Sequence, residues 1–401
     1  MNINQHIDGF IFEGNFFYAD SQAEIRSFVA VNGLKMYIRE LSLVNFKNFE
    51  HAEFKFSEGL NCFIGNNGAG KTNLMDAIYY LSFCKSFLNS VDAQNIRFDQ
   101  EFFMVQGRYS RLESDEIVYC GLKKNQKKIF KRNQKEYKKL SEHIGLIPLI
   151  IVTPSDTNLI SGASEDRRRF VDSVISQYDA VYLENLIRYN RALQQRNNLL
   201  KQFAGRNAFQ AETLEVWDDQ LVKYGQHIHV TRLAFIEKLQ PIFQKYYELI
   251  SGGKEVVGLK LQSELLENDF EQLLKQSVGK DRMLQYTTCG IHKDDFEFEL
   301  SGNPIKRFGS QGQKKTYLVA LKLAQFDFMK EISGLTPILL LDDIFDKLDK
   351  NRVEQIVKLV ADDHFGQIFI TDTNREHLDQ MISCLETESS IYTISDGTVV
   401  N

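Results

Sequence analysis

The eight residues GNNGAGKT, at positions 65–72, fit the spacing G-x-x-x-x-G-K-[ST]. They lie between an expected strand, LNCFIG, and an expected helix, TNLMDAIYYLSF, the context that turns a common pattern into a phosphate cradle. Gly65, Gly68 and Gly70 let the backbone wrap phosphates where a Cβ would obstruct, and Asn66, Asn67 and Ala69 complete the loop. Lys71 places a point charge on the β and γ phosphates of a nucleotide such as ATP, and the Thr72 hydroxyl is placed to ligate Mg2+. Farther on, ILLLDD at 338–343 reads as a fully buried strand that brings Asp342 to the ligand edge of a sheet. Asp342 is expected to hold the magnesium through water, and Asp343 to orient or deprotonate an attacking water. Alone, LLLDD could be a strand followed by a turn; paired with the phosphate loop, that reading loses ground.

A second stretch, FGSQGQKKT at 308–316, opens the expected helix YLVALKLAQFDFMKEI. Turn formers and a hydroxyl at a helix start offer N–H groups to an anion, so one chain carries two half-sites for phosphate.

The elements that must hold these groups can be read coarsely. MYIRELSLVNFKNFEHAEFKF, from Met36, alternates apolar and polar positions as two strands joined by a turn. Residues 1–35 read as an appendage, in which IFEGNFFY could pair as a hairpin. EIVYCGLKK and KIFKRNQKEYKK form another expected hairpin, rich in lysine. From Ser164 the pattern turns helical. Tyr182, Leu186, Tyr189 and Leu193 make one stripe, and Leu214, Trp217, Leu221, Tyr224 and Ile228 make another. With the loop around Gly205 between them, they predict an antiparallel helical hairpin whose aromatics are core. After Pro241 and Gly252-Gly253 the chain returns to mixed character. FEFEL and QIFITDT read as strands, QIVKLVADD as a helix and IYTISDGTVV as a closing hairpin, an alternation that favours an α/β sheet.

Composition bounds the answer. The 401 residues are 43% hydrophobic and 25% charged, ordinary for a globular protein, and no apolar run is long enough to span a bilayer. Cys62, Cys84, Cys120, Cys289 and Cys384 are scattered and form no CxxC pair, which argues for free thiols in a reducing, cytoplasmic setting. The formal net charge is −6, so any nucleic-acid role needs a local basic surface. Two places supply one: Lys123, Lys124, Lys127, Lys128, Lys131 and Arg132 on the lysine hairpin, and Arg167, Arg168 and Arg169. Each has an alternative, a lysine-guarded sheet edge for the first and salt bridges between arm and head for the second.

SQGQ resembles the signature motif of ABC-type ATPase heads, and DKLD at 346–349 resembles their D-loop. In that superfamily a signature caps the γ-phosphate on a partner's P-loop. The resemblance implies that Ser310, Gln311, Gly312 and Gln313 act in trans across an ATP-dependent homodimer. The distance from phosphate loop to signature exceeds a transporter head's and is far too short for SMC coiled coils. The chain is most similar to the RecF family. The blocks that carry this are GNNGAGKTNLMDAIYYLS, TPSDTNLISGASEDRRRFVD, YNRALQQRNNLL, GIHKDDFEFEL and FGSQGQKKTYLVALKLAQ. The expected fold is an α/β, ABC-ATPase-like P-loop head in two lobes (36–153 and 286–401), an inserted short antiparallel helical arm at 154–285, and the extension 1–35. The resemblance further implies a weak, DNA-stimulated ATPase that binds double-stranded DNA or gapped, single-stranded junctions. Its partners would be RecR, RecO and RecA, in repair, replication and the SOS response.

Five positions depart from the family's pattern. Ile291 and Lys293 replace a proline and an arginine in GIHKDD, and Asp346 replaces a common serine. Asp372 occupies the place of the ABC switch histidine, and Asp343 that of the usual glutamate, which points to slow hydrolysis. His292 reads as loop structure. Lys47 and Asn48 are candidates for adenine contacts. The alternative function is the nucleotide-binding subunit of a transport ATPase, which predicts no arm, a nearby signature and the switch histidine. An ATPase fused to a nuclease would need a carboxylate-rich domain after Asp349, where the sheet simply finishes.

Overall fold

The computed structural model describes residues 10–12, 15–17, 34–206, 211–253, 255–344, 350–360, 363–373, 389–395 and 397–400. Strands β1 (Phe10–Phe12) and β2 (Asn15–Phe17) pair antiparallel, so IFEGNFFY does form a hairpin. Strands β3 (Met36–Phe46), β4 (Phe49–Lys55) and β5 (Leu60–Ile64) lead into helix α1 (Lys71–Phe83). Next come β6 (Phe102–Arg111), β7 (Ser114–Lys123), β8 (Ile129–Arg132), β9 (Lys135–Glu136) and β10 (Leu149–Val152). Helices α2 (Ser164–Tyr178), α3 (Ala180–Arg206) and α4 (Ala211–Ser251) follow. Strand β11 (Val257–Gln262), helix α5 (Phe270–Leu284) and strands β12 (Asp295–Leu300) and β13 (Asn303–Pro304) lead to α6 (Gln311–Ser333). The chain closes with β14 (Ile338–Asp342), α7 (Lys350–Val360), β15 (Ile368–Asp372), β16 (Ser389–Ser395) and β17 (Thr398–Val400).

The central sheet has the order β10-β14-β15-β5-β16-β17, parallel from β10 to β16 with an antiparallel β17 at the edge. Period-two alternation sends its side chains into two cores. Cys62, Leu339, Leu341, Ile368 and Ile370 face the side covered by α2, α3, α4 and α6. Phe63, Ile338, Leu340 and Phe369 face α1 and a second, antiparallel sheet of order β4-β3-β6-β7-β8-β9. Because β5 is flanked by β15 and β16, the segments 36–153 and 286–401 share one sheet. Gln367 joins the two sheets. Its amide accepts from Ile38 N and donates to Ile38 O and Ser57 O, all at 2.8 Å, doing the work of a strand's backbone.

The helical hairpin is antiparallel. Moving along α3 from Tyr182 to Arg188 to Arg196, the partners on α4 run backwards, Arg232, Tyr224, then Asp218. Tyr182, Tyr189, Leu214, Leu221 and Ile228 are buried, and Leu186, Leu193, Trp217 and Tyr224 pack against them, so the stripes are core. One difference from expectation is that α4 continues through Pro241 to Ser251. Packing overrides the lost N–H there: Leu239, Phe243, Tyr247 and Ile250 are buried. Gln240 and Gln244, one turn apart, also hydrogen-bond the backbone of Val257 and Leu259. FEFEL likewise lies outside the parallel sheet, in the small sheet β11-β12-β13.

Candidate functional site

The phosphate loop joins β5 to α1 at the C-terminal edge of the parallel sheet, where ligands of such sheets bind. It borders a cavity of about 170 Å³ lined by Asn67, Gly68, Gly70, Lys71, Thr72, Asn73, Asp342, Asp343 and Thr371. Gly70 has φ 120°, and a Cβ there would lie 2.5 Å from the Asn48 amide, so only glycine fits. Asn48 props the loop: its Nδ2 donates to Ala69 O at 3.0 Å and its Oδ1 accepts from Asn73 at 2.7 Å.

Lys71 Nζ donates to Gly65 O (2.6 Å) and Asn66 O (3.1 Å). Burial lowers the ammonium's pKa, against the pull of Asp343, Asp342 and Asp372. Thr72 Oγ1 donates to both oxygens of Asp342, at 3.0 and 3.1 Å, and Thr371 Oγ1 to one of them at 2.6 Å. Burial pushes the Asp342 carboxyl up, and the bonds from Thr371 and Thr72 pull it back. Asp343 sits at φ 49°, left-handed backbone that aspartate tolerates better than most residues. Its N–H donates to Thr371 O (3.2 Å) and Thr371 Oγ1 (3.1 Å), fixing where its carboxylate starts. Among the described residues no three His, Cys, Asp or Glu side chains are grouped to hold a metal. A hydroxyl beside one buried carboxylate suits Mg2+, which usually takes one or two protein ligands and completes its octahedron with phosphate and water. The residues therefore fit a magnesium nucleotide.

Ser310 caps α6. Its Oγ accepts from Gln313 N (3.2 Å), while Gln313 Oε1 accepts from Ser310 N (2.7 Å). This capping box was legible in S-x-x-Q, yet the sequence reading passed over it. Gln313 Nε2 also donates to Glu255 Oε1 at 2.5 Å, and Glu255 Oε2 accepts from Tyr247 on α4 at 2.7 Å. The signature start is thus tied to the base of the arm. Ser310 and Gln311 are exposed, Gly312 and Gln313 partly so, and none of the four lines the phosphate cavity of its own chain. Asp346 and the D-loop lie outside the described residues, as does Cys384. The other four cysteines are buried free thiols.

Two expectations need correction. Lys47 does not offer its ammonium to a ligand, because its Nζ turns inward to Asp76 at 2.5 Å, both side chains being buried. Arg167 does not offer its guanidinium to DNA, because it is 8% exposed and grips Asp295 at 2.7 and 2.9 Å. Arg168 donates to Asp294 O and Ser164, and only Arg169 of the triplet is exposed, paired with Glu165. On the lysine hairpin, Lys128 is tied to Asp92, Tyr80 and Cys84 O, and Arg132 forks onto Glu116. Lys123, Lys124 and Lys127 are exposed, Lys124 beside Glu101, and Lys131 lies over the Tyr119 ring. His292 is loop structure, hydrogen-bonded to Tyr189 and Thr287 O. The sequence reading also missed Arg232 and Arg196, buried in the arm and held by Asp172, Asp294, Asp218 and Asp281.

A phosphate loop, an acid-tipped strand two places away in the sheet and a helical hairpin let into the fold together define a class, the P-loop ATPase heads with inserted arms. The RecF/RecN/SMC N-terminal domain family matches residues 37–398. A DNA replication and repair protein RecF of Phocaeicola vulgatus is 54% identical over 91% of this chain and 98% of its own. One from Bacteroides fragilis is 53% identical with the same coverage. A solved structure of the recombination mediator RecF with ATP superposes with a TM-score of 0.83 at 31% identity, over 92% of this chain and 98% of that one. The SMC head domain of Pyrococcus furiosus, at 17% identity and a TM-score of 0.53, shares the fold. The chain belongs to the RecF family of DNA replication and repair proteins.

Proposed function

We propose that this chain is an ATP-gated DNA-binding switch that works as a homodimer in recombinational repair, fork maintenance and the SOS response. Lys71 would neutralise phosphate charge, Thr72 and Asp342 would hold Mg2+, and Asp343 would position the attacking water. Bound magnesium supplies Lewis-acid stabilisation of the charge that develops on the transferred phosphoryl group. One observation carries the dimer. Ser310–Gln313 form a capped, exposed helix start suited to an anion, yet stand apart from the only phosphate loop in the sequence. A second copy turned about a two-fold axis would bring each half-site to the other.

Slow hydrolysis would then release DNA, a timer's behaviour, in keeping with aspartate at 343 and 372. Membership of the RecF family supports RecR and RecO as partners in loading RecA at single-strand gaps. The exposed Lys123, Lys124 and Lys127 support phosphate contact by this face. The transport-subunit reading is disfavoured by the arm.

Sedimentation with and without magnesium-ATP tests the proposal. ATP should convert monomer to dimer, and Ser310→Arg should block the conversion while leaving nucleotide binding in place. A monomer insensitive to ATP, or a dimer indifferent to Ser310→Arg, would overturn it.

A further inference from the structure

Gln325 on α6 is 5% exposed, and its side-chain amide makes no hydrogen bond among the described residues. Tyr79 on α1 is 8% exposed, and its hydroxyl has no hydrogen-bonding partner among them either. A polar group left open at such depth costs more than a hydrogen bond returns, so natural chains seldom leave one. Two of them line a single cavity of about 640 Å³, bordered by α1, β10, α2 and α6. Rotation about the last bond of Gln325 exchanges its oxygen and nitrogen, so the amide can accept or donate.

The walls of the cavity are aromatic. Tyr79 stacks on Phe83 with ring centroids 4.3 Å apart, and Phe87 meets Tyr79 edge-on at 5.3 Å. Phe170 adds a fourth ring, with Lys322 Nζ over it. Lys322, one turn before Gln325, is already satisfied by Ile151 O at 2.9 Å and Asp156 at 2.8 Å. Lys85, just past α1, is exposed and makes no ion pair among the described residues. Burial and then the like charge of Arg169 push its ammonium's pKa down. The acids nearby are occupied: Asp156 by Lys322, Glu165 by Arg169, and Asp166 against Gly162, where a Cβ would come within 2.5 Å of its carboxylate.

Phe83, Lys85, Arg169 and Ser173 also line a second cavity of about 460 Å³, which reaches Leu183 and Leu186 of α3. The two make one elongated groove from the edge of the central sheet to the arm, a shape for an extended chain. That chain cannot join the sheet, because side chains close the outer edge of β10: Leu149 N donates to Gln177, Ile151 O accepts from Lys322 and Thr153 N donates to Asp156. What is left for it is the cavity itself.

We infer that this groove docks an extended acidic segment of a partner protein, whose tyrosine side chain enters between the rings and hydrogen-bonds Gln325 and Tyr79 while a neighbouring carboxylate meets Lys85. The ring buries apolar area and its hydroxyl supplies the missing partner, while the carboxylate answers the one cation of the groove that lacks an acid. Docking requires neither nucleotide nor dimer.

Fluorescence anisotropy of the full chain with a labelled pentapeptide, Glu-Asp-Tyr-Asp-Glu, tests this. Replacing the peptide's tyrosine by alanine should weaken binding at least about tenfold, and Gln325→Met and Lys85→Ala should each weaken it about tenfold. Gln325→Met, which leaves no polar atom unpaired, should also raise the melting temperature by about 1–4 °C. A wild-type chain that ignores the peptide, equal affinity for the alanine peptide, or affinity unchanged in both variants would overturn the inference. So would a lower melting temperature for Gln325→Met, since the amide would then be paired in the folded chain. Displacement of the peptide by a single-stranded oligonucleotide, abolished in Lys85→Ala, would make the groove a nucleic-acid surface and overturn it as well.

Discussion

Arg167 holds Asp295 with two guanidinium nitrogens, at 2.7 and 2.9 Å, across 128 positions of sequence. The pair ties the first turn of α2 to the start of β12. One residue on, Arg168 donates to Asp294 O at 2.5 Å, and Asp294 in turn shares the buried Arg232 with Asp172. The blocks RRRFVD and HKDD are thus two halves of one charged clasp. Arg167→Ala should lower stability by about 2–4 kcal/mol, because Asp295 loses its partner at a half-buried site. Arg169→Ala, at an exposed i,i+4 pair, should change it by less than about 0.5 kcal/mol. Urea unfolding of both variants and of Asp295→Asn, closed as a double-mutant cycle, measures the coupling.

Asp343→Asn keeps the backbone bonds to Thr371 and removes the carboxylate. Single-turnover phosphate release should slow at least about a hundredfold, with ATP affinity within a factor of a few. If DNA release waits on hydrolysis, the variant should also stay on DNA in ATP. Asp342→Asn should instead weaken magnesium binding itself, read as a higher magnesium concentration for half-activation.

Glu255 reaches the signature through Gln313. Glu255→Ala should leave ATP binding by the monomer untouched and weaken ATP-dependent self-association about tenfold, as Gln313 loses its outer anchor. Sedimentation over a range of protein concentrations reads this directly. An equal loss in monomer ATP binding would show that Glu255 supports the fold and not the signature.

His143 is fully buried, its Nε2 donating to Leu81 O at 2.6 Å and its Nδ1 accepting from Tyr137. Burial pushes its pKa down from 6.5 to about 4. A depressed base is neutral in the folded state, so its stabilisation is complete above pH 6.5 and is lost as pH falls toward 4. The full loss is about 3 kcal/mol at 1.36 kcal/mol per unit. His143→Phe should be less stable at pH 8 and show a flatter acid limb in thermal melts.

Lys123 and Lys127 are exposed, whereas Lys128 is held by Asp92. If this face meets DNA, Lys123→Ala and Lys127→Ala should each reduce the slope of log affinity against log salt by about one. Lys128→Ala should lower the melting temperature instead. Unchanged slopes in both exposed variants would move the DNA path elsewhere.

Contiguity decided what could be read from the sequence. The phosphate loop, the strand ending in Asp342 and the helix opened by Ser310 each sit within a run of a few residues, so local pattern was enough. The arm's stripes were legible because helical periodicity is local too. Arg167 could not be assigned, since a buried arginine and a DNA-binding one look alike until Asp295 is found beside it. Lys47 misled for the same reason: its partner Asp76 lies on α1, reached only by folding. Helix α4 ran past Pro241 because packing on its buried face outweighed a local breaker. Gln325 carried no motif at all and became visible only as an unpaired amide beside a cavity.

Strand β5, which bears the phosphate loop, pairs on one side with β15 and on the other with β16, and a Cβ on Gly65 would strike Ile394 O at 2.3 Å. The ribosome makes β5 early and its two neighbours last. For most of synthesis the nascent chain therefore carries β5 with neither sheet neighbour in place and no finished nucleotide pocket. A chain cut short before β15 should therefore bind no ATP, because β5 would lack both of its sheet neighbours.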